Sequence, residues 1–166
     1  MKKLSFWLTL SGISLVTFGS IFDPLDRLIW NRTASAPTGI YWLSDEPFIH
    51  GRWVVVSSQS AVVEWAETRG YVGKDWPFLK QIAGMPGDEI CRNGHEIRIN
   101  SEPVAIAKIV DSSGRMLPVW EGCSVLQSDE VFVLTAHPAS LDGRYFGPIK
   151  QSDLDGTAIP LMTSQD

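Results

Sequence analysis

Two residues of this chain have neighbours that could turn an ordinary side chain into a reactive one. Ser35 stands in the segment Asn31-x-Thr33-x-Ser35-x-Pro37-x-Gly39-x-Tyr41. A serine hydroxyl is a weak nucleophile and needs a base. Pro37 fixes its own φ and Gly39 admits unusual backbone angles, so the segment reads as an irregular turn that presents the hydroxyl. Lys80 is bracketed by Phe78, Leu79, Ile82 and Ala83, ahead of Gly84, Pro86, Gly87 and Asp88. In a strand, Phe78, Lys80 and Ile82 share one face. Apolar surroundings disfavour the ammonium and lower its pKa from about 10.4, and a neutral amine can take the proton from a serine. Taken singly, each residue has a plainer reading. Ser35 reads as a loop serine, and Lys80 as an edge lysine whose stem covers apolar surface. Histidine is the other candidate base, but nothing in the sequence ties His50, His95 or His137 to Ser35.

A third polar group follows: Ser140, Asp142 and Arg144 at two-residue spacing, ahead of Gly147 and Pro148. In an extended stretch the three would share a face, where they could orient a lysine. In isolation a solvated polar turn is the plainer reading. Cys91 and Cys123 are the two cysteines. In an exported domain such a pair favours a disulfide, against the alternative of two separate buried thiols. They do not form a C-x-x-C pair, and with three histidines in the chain the pattern does not point to zinc.

These groups need a framework. The stretch from Leu4 to Phe22 contains no charged residue. At about 1.5 Å per residue it reaches about 28 Å, the thickness of a bilayer's hydrocarbon core. Lys2 and Lys3 precede it and Asp23 and Asp26 follow, which places the N-terminus in the cytoplasm and the remainder outside. The competing reading is a cleaved signal peptide. Its small-residue site would have to be Ala34 to Ala36, far behind the apolar stretch and followed by Pro37, so the expectation is a retained anchor. The expected organisation is therefore 1–22 as cytoplasmic N-terminus and transmembrane anchor, and 23–166 as one periplasmic domain. A net charge of −5 without a basic block sets nucleic acid aside, and 44% hydrophobic residues argue against disorder.

Beyond the span, Trp30 and Trp42 fit either a lipid interface or a core. Strands are expected over Gly39–Leu43, Arg52–Ser57, Phe78–Ala83, Glu89–Arg92, His95–Asn100, Pro103–Val110 and Glu130–Ala136. The pair Asn93 and Gly94 marks a hairpin turn. Thr157–Met162 reads as a final edge strand, where Pro160 is tolerated. One helix is expected over Gln59–Arg69, stopped by Gly70. The fold class is mainly β, with one short helix behind a single N-terminal transmembrane helix.

Set in order, the three polar segments resemble the motifs of the bacterial type I signal peptidase family, which uses a Ser/Lys dyad. The likeness is greatest to its conjugative-transfer branch, the TraF-type signal peptidases. General signal peptidases usually carry Met directly after the nucleophile, where this chain has Ala36, and often Gly-Asp-Asn ahead of the last box, where it has Ala136 to Ala139. The resemblance implies a signal-peptidase-like β-sheet catalytic domain with Ser35 as nucleophile and Lys80 as general base. It implies an oxyanion hole from the Thr33 hydroxyl and the Ser35 backbone N–H, with support from Asp142, Ser140 and Arg144. Gly143 replaces the usual serine of the last box, which would remove one hydroxyl near the lysine. The resemblance further implies a membrane-anchored serine endopeptidase of the bacterial inner membrane, with no metal or organic cofactor. Its partners would be membrane lipid, transfer-apparatus proteins and an exported precursor, a conjugative pilin of a type IV secretion system. Small residues would precede the cut, and either water or an amine could resolve the acyl-enzyme, giving a linear or a cyclic product. The alternatives are a general type I signal peptidase, a catalytically silent scaffold of the transfer apparatus and, remotely, a cytosolic Ser/Lys self-cleaving repressor, against which the apolar span argues.

Overall fold

The computed structural model describes residues 27–164. The apolar stretch from Leu4 to Phe22, and with it the expected anchor, lies outside the described residues. Two antiparallel sheets make up most of the rest. The larger takes its strands from both ends of the chain: β1 (Leu28–Asn31), β2 (Gly39–Ser44), β3 (Trp53–Val56), β4 (Phe78–Gly84), β9 (Glu130–Leu134), β10 (Ile149–Lys150) and β11 (Leu154–Thr163). Their order across the sheet is β1-β2-β11-β3-β4-β9-β10. The smaller sheet is a single excursion between β4 and β9, built from β5 (Glu89–Asn93), β6 (Glu96–Ile99), β7 (Glu102–Ile106) and β8 (Gly122–Val125) in the order β7-β6-β5-β8.

The central strands explain the continuous apolar runs. Val54 and Val56 face one core together with Phe78 and Ile82, while Val55 and Leu79 face another with Tyr41 and Ala158. A strand covered on both sides has no solvent face on which to place polar residues. Helix α1 (Ala61–Thr68) begins where expected: the Ser60 hydroxyl accepts from the Val63 N–H, and Gly70 takes φ +72° just past its end. Val63 and Ala66 seal it against the first core.

Four expectations need correction. The last strand is not an edge strand: β11 sits between β2 and β3. Pro160 is tolerated because pairing with β3 ends at Thr157, so the proline's other side is free, and a register shift follows it opposite β2. The strand expected over Pro103–Val110 stops at Ile106, and Val110 makes only an isolated bridge to Met116. The segment around Asp142 is not extended; it turns into a one-turn helix, α2 (Gly143–Phe146). Its polar residues are not solvated either, since Ser140, Asp142 and Arg144 are all buried. Of the two readings left open for Trp30, the core is not met: it is 66% exposed and shares a sheet face with Leu28, Ile40 and Met162, all exposed. Strands β1 and β8 were not expected, being short and, in β8, small and polar.

Candidate active site

The Ser35 turn is built by Asn31. Asn31 closes β1 with its side chain 7% exposed. Its Nδ2 donates to the carbonyls of Thr33, Ala36 and Pro37, each at 3.0 Å. Its Oδ1 accepts from the Thr33 N–H at 3.1 Å and the Thr33 hydroxyl at 2.9 Å. One amide thus satisfies backbone groups that an irregular turn leaves without a ladder partner. Tyr41 adds its phenol to the Pro37 carbonyl at 2.7 Å, and Ala36 is buried against Tyr41 and Leu79. The turn that carries the serine is therefore pinned on both sides. The anchoring role of Asn31 was missed at the level of sequence, because an asparagine at the start of a turn is commonplace.

Lys80 enters from β4, on the face it shares with Phe78 and Ile82, and is 3% exposed. Its Nζ lies 3.4 Å from Ser35 Oγ and 3.0 Å from Ser140 Oγ, and 4.9 Å from the Phe78 ring centre. Burial pushes its pKa down from 10.5 to about 8; Asp142 pulls it up against that trend and Arg144 adds to it. Serine and lysine, far apart in the chain, thus meet within hydrogen-bond reach.

Behind them lies a buried ion pair. Arg144 Nε is 3.1 Å from Asp142 Oδ1, at an angle that makes it an ion contact rather than a hydrogen bond. Arg144 also donates to the carbonyls of His137 and Thr135. Asp142 accepts from the N–H groups of Thr135 and Arg144, each at 3.2 Å, the second bond capping α2. Burial pushes the Asp142 carboxyl above its usual range, in spite of the nearby Arg144 and Lys80 charges.

Thr33 Oγ1 is 3.1 Å from Ser35 Oγ. A threonine hydroxyl has one proton, and here it goes to Asn31 Oδ1, so Thr33 can also accept from Ser35. Donation to a developing oxyanion would require that proton to rotate away from Asn31. Of the histidines, His137 lines the same cleft, but its Nδ1 accepts from the Ala139 N–H at 3.2 Å. His50 pairs with Asp88, and His95 Nδ1 lies 2.8 Å from the Ala107 carbonyl. Cys91 and Cys123 lie directly opposite one another on β5 and β8, with an S–S distance of 2.02 Å. They belong to the smaller sheet and do not line the cleft.

Ser35, Thr33, Lys80 and Ser140 open into one cavity of about 550 Å³. Its walls include β1, the loop at Tyr71 to Pro77 and the Lys108 to Arg115 segment. Arg32 leans over its mouth with the guanidinium 4.1 Å from the Trp30 ring and 4.7 Å from the Trp76 ring. A groove of this size, with a nucleophile candidate and a buried amine at its floor, suits an extended peptide.

The description signal peptidase, peptidase S26, matches residues 1–162. The chain belongs to this family. It is 32% identical over 144 residues to a plasmid transfer protein TraF of Escherichia coli, covering 80% of this chain and 81% of that protein. It is 31% identical over 144 residues to the conjugal transfer protein TraF of Agrobacterium fabrum, with the same two coverages. Among solved structures, a signal peptidase I of Enterococcus faecalis V583 aligns with a TM-score of 0.39 at 19% identity, covering 69% of this chain and 98% of that one.

In this chain the glycine at 143 has a local cause. A Cβ there would lie 2.6 Å from Phe132 Cε2 and 2.8 Å from the Val133 carbonyl oxygen. A side chain at 143 would therefore be driven against Phe132 rather than presented to the lysine. Gly143→Ser should destabilise the fold by about 1–3 kcal/mol through overpacking. Urea unfolding of the full chain in detergent measures it, and an unchanged midpoint would contradict the Phe132 clash.

Proposed function

We propose that this chain is a membrane-anchored serine endopeptidase in which Ser35 is the nucleophile and Lys80 the general base. One observation carries the reading: a fully buried lysine, its pKa lowered to about 8, stands between Ser35 Oγ and Ser140 Oγ. In its neutral form Lys80 takes the Ser35 proton as Oγ attacks the scissile carbonyl. The negative charge that develops on the carbonyl oxygen is met by the Ser35 N–H and the Thr33 hydroxyl, once the latter has turned from Asn31. A single donor of this kind is worth about 3–4 kcal/mol of barrier. Protonated Lys80 then gives its proton to the leaving amine, and an ester to Ser35 remains. In the second half, Lys80 takes a proton from water, hydroxide attacks the ester, and the proton returns to Ser35 Oγ. Ser140 holds the amine in place through both halves.

The substrate we propose is an exported precursor, a conjugative pilin, cut next to its membrane segment. The names of the TraF relatives support the transfer context. The apolar span from Leu4 to Phe22 and the exposed row of Leu28, Trp30, Ile40 and Met162 support a site held at the bilayer's outer face.

The test incubates membranes containing the full chain with the pilin precursor of the same transfer system. Mass spectrometry reads the cut and separates linear from cyclic product. Cleavage is expected, and Ser35→Ala should eliminate it. Undiminished processing by Ser35→Ala would overturn the mechanism, and broad cutting of unrelated secretory precursors would replace the pilin reading with general signal peptidase activity.

The pH dependence follows from the lowered lysine pKa. Only the neutral amine acts as base, so kcat should rise with pH, reach half its maximum at about pH 8, and level off above it. A half-maximum near 6.5, the ordinary histidine value, would point to a histidine base instead.

A further inference from the structure

We propose that Arg92 and Trp120 are positioning residues for the active site: from the smaller sheet they grip the backbone of α2, and through it they set Ser140, Asp142 and Arg144 against Lys80. The proposal rests on the Ser35–Lys80 reading above.

Arg92 is the largest fully buried side chain among the described residues, at 1% exposure. It makes no ion pair among them. Its guanidinium instead donates to carbonyl oxygens: Nε to Gly94 at 2.9 Å, and one terminal nitrogen to Arg144 at 2.7 Å and to Pro118 at 3.5 Å. Its other terminal nitrogen has no hydrogen-bond partner. Trp120 Nε1 donates to the Gly143 carbonyl at 3.1 Å. Its ring would be 3.8 Å from a Cβ at Gly147, the residue that ends α2, and it meets Phe132 edge to face at 6.3 Å.

A buried cation without a counter-charge is expensive to maintain, and simple packing is met better by an apolar side chain. What Arg92 provides is a long, planar donor that reaches from β5 to one carbonyl of α2. That target needs it. A helix of a single turn does not hold its own shape, since nucleation is unfavourable and its end groups lack partners. Asp142 caps α2 from its N-terminal side, while Arg92 and Trp120 take the carbonyls of Arg144 and Gly143. The turn's place is therefore dictated from outside, and Ser140 stands two residues ahead of its cap Asp142, 3.0 Å from the lysine amine. The grip itself is rigid, because Cys91 precedes Arg92 on β5 and is bonded to Cys123, three residues beyond Trp120.

The test uses the full chain in detergent with the pilin precursor as probe, and measures kcat, KM, the pH profile of kcat and thermal unfolding. Arg92→Met and Trp120→Phe should each lower kcat about tenfold, leave KM within about twofold, and move the kcat midpoint by half a pH unit or more. Arg92→Lys should recover part of the loss. Trp120→Phe keeps a six-membered aromatic ring and removes the N–H with the rest of the five-membered ring, so, with thermal unfolding as the control for lost packing, it decides the matter if Arg92→Met does not fold. A folded Trp120→Phe enzyme with wild-type kcat and midpoint would overturn the proposal, as would losses that merely follow the unfolded fraction. Ser35→Ala separates the two readings. If it still cleaves, the dyad is wrong. If it is inactive while Trp120→Phe behaves as wild type, only the positioning role fails.

Discussion

Replacing Lys80 with methionine should abolish precursor cleavage and at the same time stabilise the folded chain at neutral pH. Removing a general base lowers kcat by at least about a hundredfold, and in the proposed mechanism the same amine serves both halves of the reaction, so about a thousandfold or more is expected. The gain in stability has a separate cause. Lys80 is fully buried, and its pKa falls from 10.5 to about 8 on folding. Between those values the unfolded chain binds more protons than the folded one, so wild-type stability rises with pH across that window. Below pH 8 the buried ammonium costs the fold about 3 kcal/mol at 1.36 kcal/mol per pH unit. Methionine has similar length and no charge. It leaves Ser140 without one donor, a loss of about 1 kcal/mol, so a net gain of about 2 kcal/mol should remain. That gain should be largest below pH 8 and should turn into a loss of about 1 kcal/mol above about pH 10.5, where only the missing Ser140 bond remains. Urea unfolding at pH 7 and at pH 10.5, together with a turnover assay, checks both halves. A variant less stable than wild type at pH 7 would mean that the amine is solvated.

Asp142→Ala should be the most damaging substitution to the fold. The carboxylate is fully buried against Arg144, and it accepts the N–H groups of Thr135 and Arg144. Removing it leaves an arginine that is 3% exposed without its counter-charge, and α2 without its cap. Breaking a buried pair from one side costs about 3–5 kcal/mol. Asp142→Asn keeps an acceptor for the backbone and should cost less, about 1–3 kcal/mol. The asparagine variant also carries a kinetic signature. Asp142 raises the Lys80 pKa, so its charge removed, the kcat midpoint should fall below about pH 8. Denaturation of the full-length variants in detergent gives the stabilities, and a pH series gives the midpoint. Equal stability of the alanine variant and wild type would show that Arg144 finds solvent or another partner.

How much of this was legible beforehand depended on the reach of each signal. Lys80 could be read because its neighbours on β4 set its face, and alternation along a strand is a local rule. Helix α1 announced itself through its helical spacing and the stop at Gly70, again within a few residues, whereas its cap Ser60 emerged only from the structure. The meeting of Ser35 and Lys80 was suggested by resemblance alone; no local pattern states that a turn and a distant strand converge. Asp142 was placed in an extended stretch because alternating polar residues look like a strand, while its cap on α2 depends on carbonyls held from another sheet. Arg92 was invisible as anything but a strand residue before a hairpin turn, since its partners lie on segments distant in sequence. Pro160 misled in a different way. It did mark a strand side without a partner, but that side belongs to the end of a central strand.

The position of β11 also bears on how the enzyme comes into being. This strand leaves the ribosome after every other described strand, yet it joins β2, which follows the serine's turn, to β3, which pairs with the lysine's strand β4. A nascent chain that has not reached Leu154 holds the Ser35 turn, Lys80 and the Asp142 segment, but nothing that welds the two halves of the sheet together. Pairing between distant segments is closed late and slowly. Proteolytic competence should therefore arise only after Leu154–Thr163 has entered the sheet, so that a chain still short of that strand cannot cut itself or its neighbours.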